Sequence, residues 1–415
     1  MAVYNARMLR WGSILVVALC SLLAGYFMLQ TQMPATSIAD IAACAGRRDL
    51  VECARPHVHA LLDSMSAEEL IVEVEALQLP SNQCHYVLHL IGQELFGREG
   101  SVERAIGECT HACNSACPHG VIGEAFRDAL AVDSDTDVGH LTSEEIRAMG
   151  KDLCDEPSGV LLSKAVKGTC HGAGHALLLA YQDIDAALDV CADIAVPLQE
   201  SACYRGVYME YTDLLSVRST WQGEYEDLHV PSTEGLASLC LRDDMQESAA
   251  CYYYLPIAVR QVYQLAGTTS TREEAADKAR DICLSIDDDM QRQACLLGYG
   301  VTLYGTFRAD HDDATRTCLA LGRRDDQESC IAGMISLVVE YGEHEEAVRY
   351  CAGLADESLE LLCYEAVFER LVTLSGRSVE DAERFCPHDA AACTESASGA
   401  RAGRLVRFFA LTDPD

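Results

Sequence analysis

The hydrophobic positions fall into short stretches at helical spacing, interrupted by loops rich in Asp, Gln and Gly. "REEAADKARDIC", residues 272–283, is Ala-rich and amphipathic and predicts one helix that ends at a cysteine. "CIAGMISLVVEY", residues 330–341, starts at a cysteine and predicts a second, more apolar helix. The loop between two such stretches carries Asp244, Asp289 or Asp326 where a helix N-cap is expected.

This layout recurs. The pairs Cys191/Cys203, Cys240/Cys251, Cys283/Cys295, Cys318/Cys330 and Cys351/Cys363 are spaced by 12 residues in four cases and 11 in one. The second cysteines of all units, at 53, 84, 117, 170, 203, 251, 295, 330, 363 and 393, recur with a period of about 33, the size of a two-helix repeat. Longer intervals mark insertions around 132–150 and 215–235. Gly120, Gly206, Gly298 and Gly333 each follow the second cysteine by three positions, where a missing side chain would let helices approach closely. The predicted fold is all-α, a superhelical array of about ten disulfide-linked αα-hairpin repeats. In period and layout, over roughly residues 40–400, it resembles the tetratricopeptide-like αα-hairpin arrays. That resemblance implies a concave face able to bind a protein partner.

The first thirty residues change the picture. Residues 11–29 carry no charge and are long enough to span a bilayer as a helix, after a flank holding Arg7 and Arg10. The bias predicts a cytoplasmic tail at 1–10, a transmembrane signal-anchor at 11–29, a linker at 30–39 and the bulk of the chain outside the cytoplasm, in the periplasm or at the cell exterior. A cleaved signal peptide, cut near Ala35 or Ala39, is the alternative. Beyond the linker come His/Cys-rich repeats at 40–180, Cys-rich repeats at 181–400 and a tail at 401–415.

Of 21 cysteines, Cys20 lies in the apolar segment, and the other twenty read as disulfides of an exported protein. The layout pairs Cys44 with Cys53, Cys109 with Cys117, Cys154 with Cys170 and Cys386 with Cys393, along with the five pairs above. Cys84 and Cys113 remain as a tenth. The formal charge of −34 opposes binding to nucleic acid.

Nine of the 13 histidines lie between residues 57 and 175. His85 and His89, and again His171 and His175, sit one and five residues after a second cysteine, and His119 lies in the unit between. Positions i and i+4 share a helix face, so each pair can chelate one divalent transition metal such as Cu, Fe or Zn. Tyr204, Tyr252 and Tyr364 at the equivalent first position allow another reading, in which these histidines only pack over the disulfides. Glu94, Glu124 and Glu210 are candidate carboxylate ligands. Helix spacings of 8–10 Å would place units two apart about 20 Å from each other, which calls for tight curling, two separate sites or a bridging His119.

Residues 133–145 have Asp133, Asp135 and Asp137 at calcium-loop spacing. Val138 stands where Gly is needed, and Glu145 comes one residue late, so a solvated loop before a capped helix is the alternative to calcium binding. No phosphate loop, zinc-protease motif or nucleophile elbow occurs, and no residue is assigned a catalytic role. Two functions follow: metal binding by the N-terminal half through His85, His89, His119, His171 and His175, or a non-enzymatic scaffold at the cell envelope. An uncleaved anchor predicts that intact-mass measurement of the chain purified from membranes finds residues 1–35 retained; a mature start near 36 or 40 would identify a signal peptide instead.

Overall fold

The computed structural model describes residues 36–396 except 48, 78, 80, 111, 131–141, 156–165, 218–232, 243, 266–271, 307–310, 341–343, 375–377, 387–392 and 395. The tail, anchor and C-terminal segment expected at 1–10, 11–29 and 401–415 lie outside these residues, as do most of the linker and the aspartates at 133–137. Among the described residues, no strand occurs and no helix is long and apolar enough to cross a membrane.

The helices follow the cysteine layout. Helices α1 (Ile38–Ala43), α2 (Leu50–Leu62) and α3 (Ala67–Ala76) open the chain. The histidine-bearing region contains α4 (Ser81–Glu99), α5 (Val102–Glu108), α6 (Ala112–Leu130), α7 (Ser143–Asp155) and α8 (Val166–Tyr181). Then come α9 (Ile184–Ala192), α10 (Pro197–Val217), α11 (Thr233–Leu239), α12 (Met245–Leu265), α13 (Arg272–Leu284) and α14 (Asp289–Thr306). The last units hold α15 (His311–Leu319), α16 (Arg324–Glu340), α17 (His344–Ala352), α18 (Glu357–Phe368), a π-helical turn at Glu369–Leu374 and α19 (Val379–Glu383). The long second helices α4, α6, α8, α10, α12, α14, α16 and α18 pack each against the next, and the shorter first helices pack beside them. One continuous apolar core runs through them all.

The glycines explain how closely these helices pack. A Cβ on Gly120 would lie 1.9 Å from the His89 carbonyl oxygen, and one on Gly92 would lie 2.1 Å from the Cys117 carbonyl oxygen. Helices α4 and α6 therefore cross with backbones touching, each supplying a glycine to the other. The same reciprocal crossing joins α8 to α10, where Gly174 meets the Cys203 carbonyl and Gly206 meets that of His171. Gly300 and Gly333 repeat it between α14 and α16.

Among the described residues nine disulfides form: Cys44–Cys53, Cys84–Cys113, Cys109–Cys117, Cys191–Cys203, Cys240–Cys251, Cys283–Cys295, Cys318–Cys330, Cys351–Cys363 and Cys386–Cys393. Most tie the end of one helix to the start of the next, and closing a 12-residue loop contributes about 3 kcal/mol in the chain-entropy model. This density of disulfides belongs to an oxidising compartment. The expected Cys154–Cys170 bridge is a correction: the two are buried in the core and not bonded to each other. Both side chains are fully buried.

The loop aspartates divide into two kinds. Asp244 caps α12, its Oδ1 accepting from the Glu247 backbone N–H at 2.8 Å. Asp289 and Asp326 do not cap, which corrects the expectation. Asp288 caps α14 by accepting from the Gln291 N–H, while Asp289 and Asp326 both hold Arg292. Arg292 and Asp326 are buried, with Nε and Oδ1 3.2 Å apart, and Asp289 also accepts from Arg323 at 2.9 Å. This clamp joins one unit to the next. Replacing Arg292 by Met leaves a buried Asp326 carboxylate without its cation and should cost about 3–5 kcal/mol in urea unfolding; the Arg292→Met/Asp326→Leu double variant should recover most of it.

Candidate metal centre

Helices α4, α6 and α8 each present histidines toward the shared interior. His85 and His89 lie one turn apart on α4, their ring centroids 4.5 Å apart. His119 on α6 lies 5.8 and 5.5 Å from them. It also lies 5.1 Å from His171 and 5.6 Å from His175 on α8, which are 4.8 Å from each other. All five expected imidazoles thus form one continuous cluster, with His119 in the middle. The distance anticipated for an open array is removed by tight crossings. The α4–α6 glycine pair brings His89 and His119 together, and Gly172 of α8 leaves room for His119, whose Cα would lie 3.3 Å from a Cβ there.

His85, His89 and His119 each offer a ligand nitrogen, and these nitrogens lie within 4.8 Å of one another. Bonds of about 2.0–2.1 Å put neighbouring nitrogens of a tetrahedral metal about 3.4 Å apart, so small ring rotations bring all three onto one ion. Among the described residues, His89 Nε2 and His119 Nδ1 are buried without a hydrogen-bond partner. An orphaned buried nitrogen is costly unless something binds it. His85 is oriented differently: its Nδ1 donates to the Cys113 carbonyl at 2.9 Å, leaving Nε2 as the free lone pair. Cys113 has a left-handed φ of 45°, a conformation unfavourable for a side chain, and is held there beside its disulfide to Cys84.

The other half of the cluster is hydrogen-bonded outward. His171 Nδ1 donates to the Ala202 carbonyl at 3.3 Å, and His175 Nδ1 donates to Glu210 Oε2 at 2.7 Å. The two Nε2 atoms face each other at 3.2 Å, and Met209 Sδ lies 3.3 Å from His171 Nε2. Burial pushes His85 down to about 4 and holds His89, His119 and His171 well below the ordinary histidine range, with the neighbouring imidazoles adding to the effect. Neutral imidazole is the metal-binding form, so these rings are ligand-competent at neutral pH.

The tyrosines at the equivalent first position behave differently. Tyr204, Tyr252 and Tyr364 are buried in the core, and the Tyr204 hydroxyl donates to Glu200 in its own helix. The histidines there reach the next helix instead. Of the candidate carboxylates, Glu94 accepts from Arg55 and pairs with His59, and Glu124 pairs with Arg127. Only Glu210 reaches the cluster, behind His175 rather than as a direct ligand. Glu145, the calcium-loop candidate, is used in a capping box with Thr142 at the start of α7. Met209 was not expected from the sequence, because a thioether on an apolar helix face carries no spacing signal.

No family model matches the chain, and no curated protein matches it.

Because the folded-state pKa of His85 lies below its unfolded value of about 6.5, the unfolded chain takes up the proton first. Stability of the metal-stripped protein is therefore fully present above pH 6.5 and declines as pH falls toward 4. Thermal midpoints of the chelator-treated protein should drop between pH 7 and 5, and His85→Gln should reduce the drop.

Proposed function

We propose that this is a membrane-anchored, extracytoplasmic helical-repeat protein that binds a transition metal through histidines of its N-terminal half. The observation that carries the reading is the convergence of His85, His89 and His119 from two helices, with nitrogens within 4.8 Å and two of them unsatisfied. Three neutral imidazoles suit Zn, Cu or Fe. The cysteines of the neighbouring bridges are oxidised and do not compete as ligands. The anchor rests on the uncharged 11–29 stretch, and the array is read as a tetratricopeptide-like solenoid from its 33-residue period and its consecutive second helices.

A scaffold role is the second reading, and one observation favours it. Leu241, Leu284 and Leu319 each directly follow the first cysteine of a unit and are 74%, 43% and 39% exposed. Val196 and Met245 are also exposed in or beside such loops. An exposed apolar residue repeated at the same position of successive units is what a partner surface would offer.

Elemental analysis separates the two. The full chain, extracted in detergent and dialysed against Zn, Cu and Fe in turn, should retain stoichiometric metal. His85→Gln/His89→Gln should lose it while keeping its helical circular dichroism. Wild-type protein that retains none of the three metals leaves only the scaffold.

A further inference from the structure

We propose that the cluster holds a second metal ion at His171, His175 and Met209, and that this position takes a soft monovalent ion, Cu(I). The proposal deepens the metal-binding reading of His85, His89 and His119, on which it rests for the identity of the neighbouring site, but its own ligands are different residues.

Proton placement identifies the free nitrogens. A carbonyl oxygen only accepts, so His171 Nδ1, 3.3 Å from the Ala202 oxygen, carries the ring proton. The Glu210 carboxylate likewise accepts from His175 Nδ1 at 2.7 Å. With both rings neutral, the two Nε2 atoms are bare lone pairs, and they face each other at 3.2 Å. Two lone pairs at that distance repel and do not form a hydrogen bond. A cation between them turns the repulsion into two bonds. With metal–nitrogen bonds of about 2.0–2.1 Å, the 3.2 Å separation corresponds to an angle of about 100° at the metal.

Met209 supplies the third donor. Its sulfur lies 3.3 Å from His171 Nε2, an atom that in this tautomer has no proton to give it. With a metal–sulfur bond of about 2.3 Å, this separation again corresponds to an angle of about 100°. Both distances, measured from His171 Nε2, are compatible with one ion bound by the three donors. The donor set is two neutral imidazoles and a neutral thioether, with no direct carboxylate or thiolate. Thioether ligation selects Cu(I) over harder ions, and a neutral set suits a single positive charge. Glu210 behind His175 is the carboxylate–histidine–metal arrangement that fixes ring orientation and raises ligand basicity. His119, between the two histidine pairs, separates the second ion from the first.

The test uses the full chain in detergent, loaded anaerobically with Cu(I) in acetonitrile and titrated against bicinchoninate. Wild-type protein should bind two Cu(I) per chain. His85→Gln/His89→Gln should lose one and His171→Gln/His175→Gln the other. Met209→Leu should weaken the second ion by at least about tenfold, and Glu210→Gln, a positioning change, by about 10- to 100-fold. Selenomethionine-labelled protein, with no residue replaced, should show copper at bonding distance from selenium in X-ray absorption. One Cu(I) per chain that either double variant abolishes would mean a single shared ion and overturn the proposal, leaving the first site intact. Unchanged affinity in Met209→Leu with no copper–selenium contact would remove the thioether and overturn it too. Zinc bound at His85, His89 and His119 with no copper uptake, as expected if only a proton bridges His171 and His175, overturns this position alone. Failure to bind any metal overturns both readings.

Discussion

The close approach of consecutive second helices is the constraint on which the rest depends. At the reciprocal glycine crossings a single methyl group on either partner would lie about 2 Å from a backbone oxygen. That contact sets the separation of α4 from α6 and of α8 from α10, and through it the positions of the histidines and of Met209. A helix interior tolerates glycine at a cost of about 1 kcal/mol relative to alanine. Here that cost is offset by backbone contact along a continuous core. Histidines that ordinary helix spacing would keep apart become neighbours, because the side chains that would enforce the spacing are absent where the backbones cross.

Much of this was legible in the sequence. The paired cysteines marked helix ends, and the glycine three residues after four of the second cysteines marked the crossings at Gly120, Gly206, Gly298 and Gly333. The i, i+4 histidine pairs marked one face. What could not be read was relative placement. Whether His85 and His175 belong to one cluster depends on the α6–α8 packing, which no local pattern encodes, and Gly172 matters only because His119 lies against it. Met209 was invisible for the same reason. The loop aspartates misled because Asp288 and Asp289 are adjacent and chemically alike: one caps α14, and its neighbour faces Arg292.

The units are not equivalent despite their common plan. Where the position after the second cysteine is Tyr204 or Tyr364, the ring fills the core within its own unit. Where it is His85 or His171, the ring nitrogen binds a carbonyl of the next second helix. The same register thus serves packing in one half of the chain and inter-unit polar contact in the other. In the C-terminal half the corresponding link is ionic, through the buried pair Arg292 and Asp326.

The Cys84–Cys113 bridge spans 29 residues and joins α4 to the start of α6, whereas the other eight close separations of 12 or fewer. It flanks His85, whose ring is steered by the carbonyl of the same Cys113. A nascent chain with reduced thiols lacks this tether between α4 and α6. Under the proposed function, ion capture would follow maturation, and the ion held would be drawn from the pool available where the chain completes its oxidative folding.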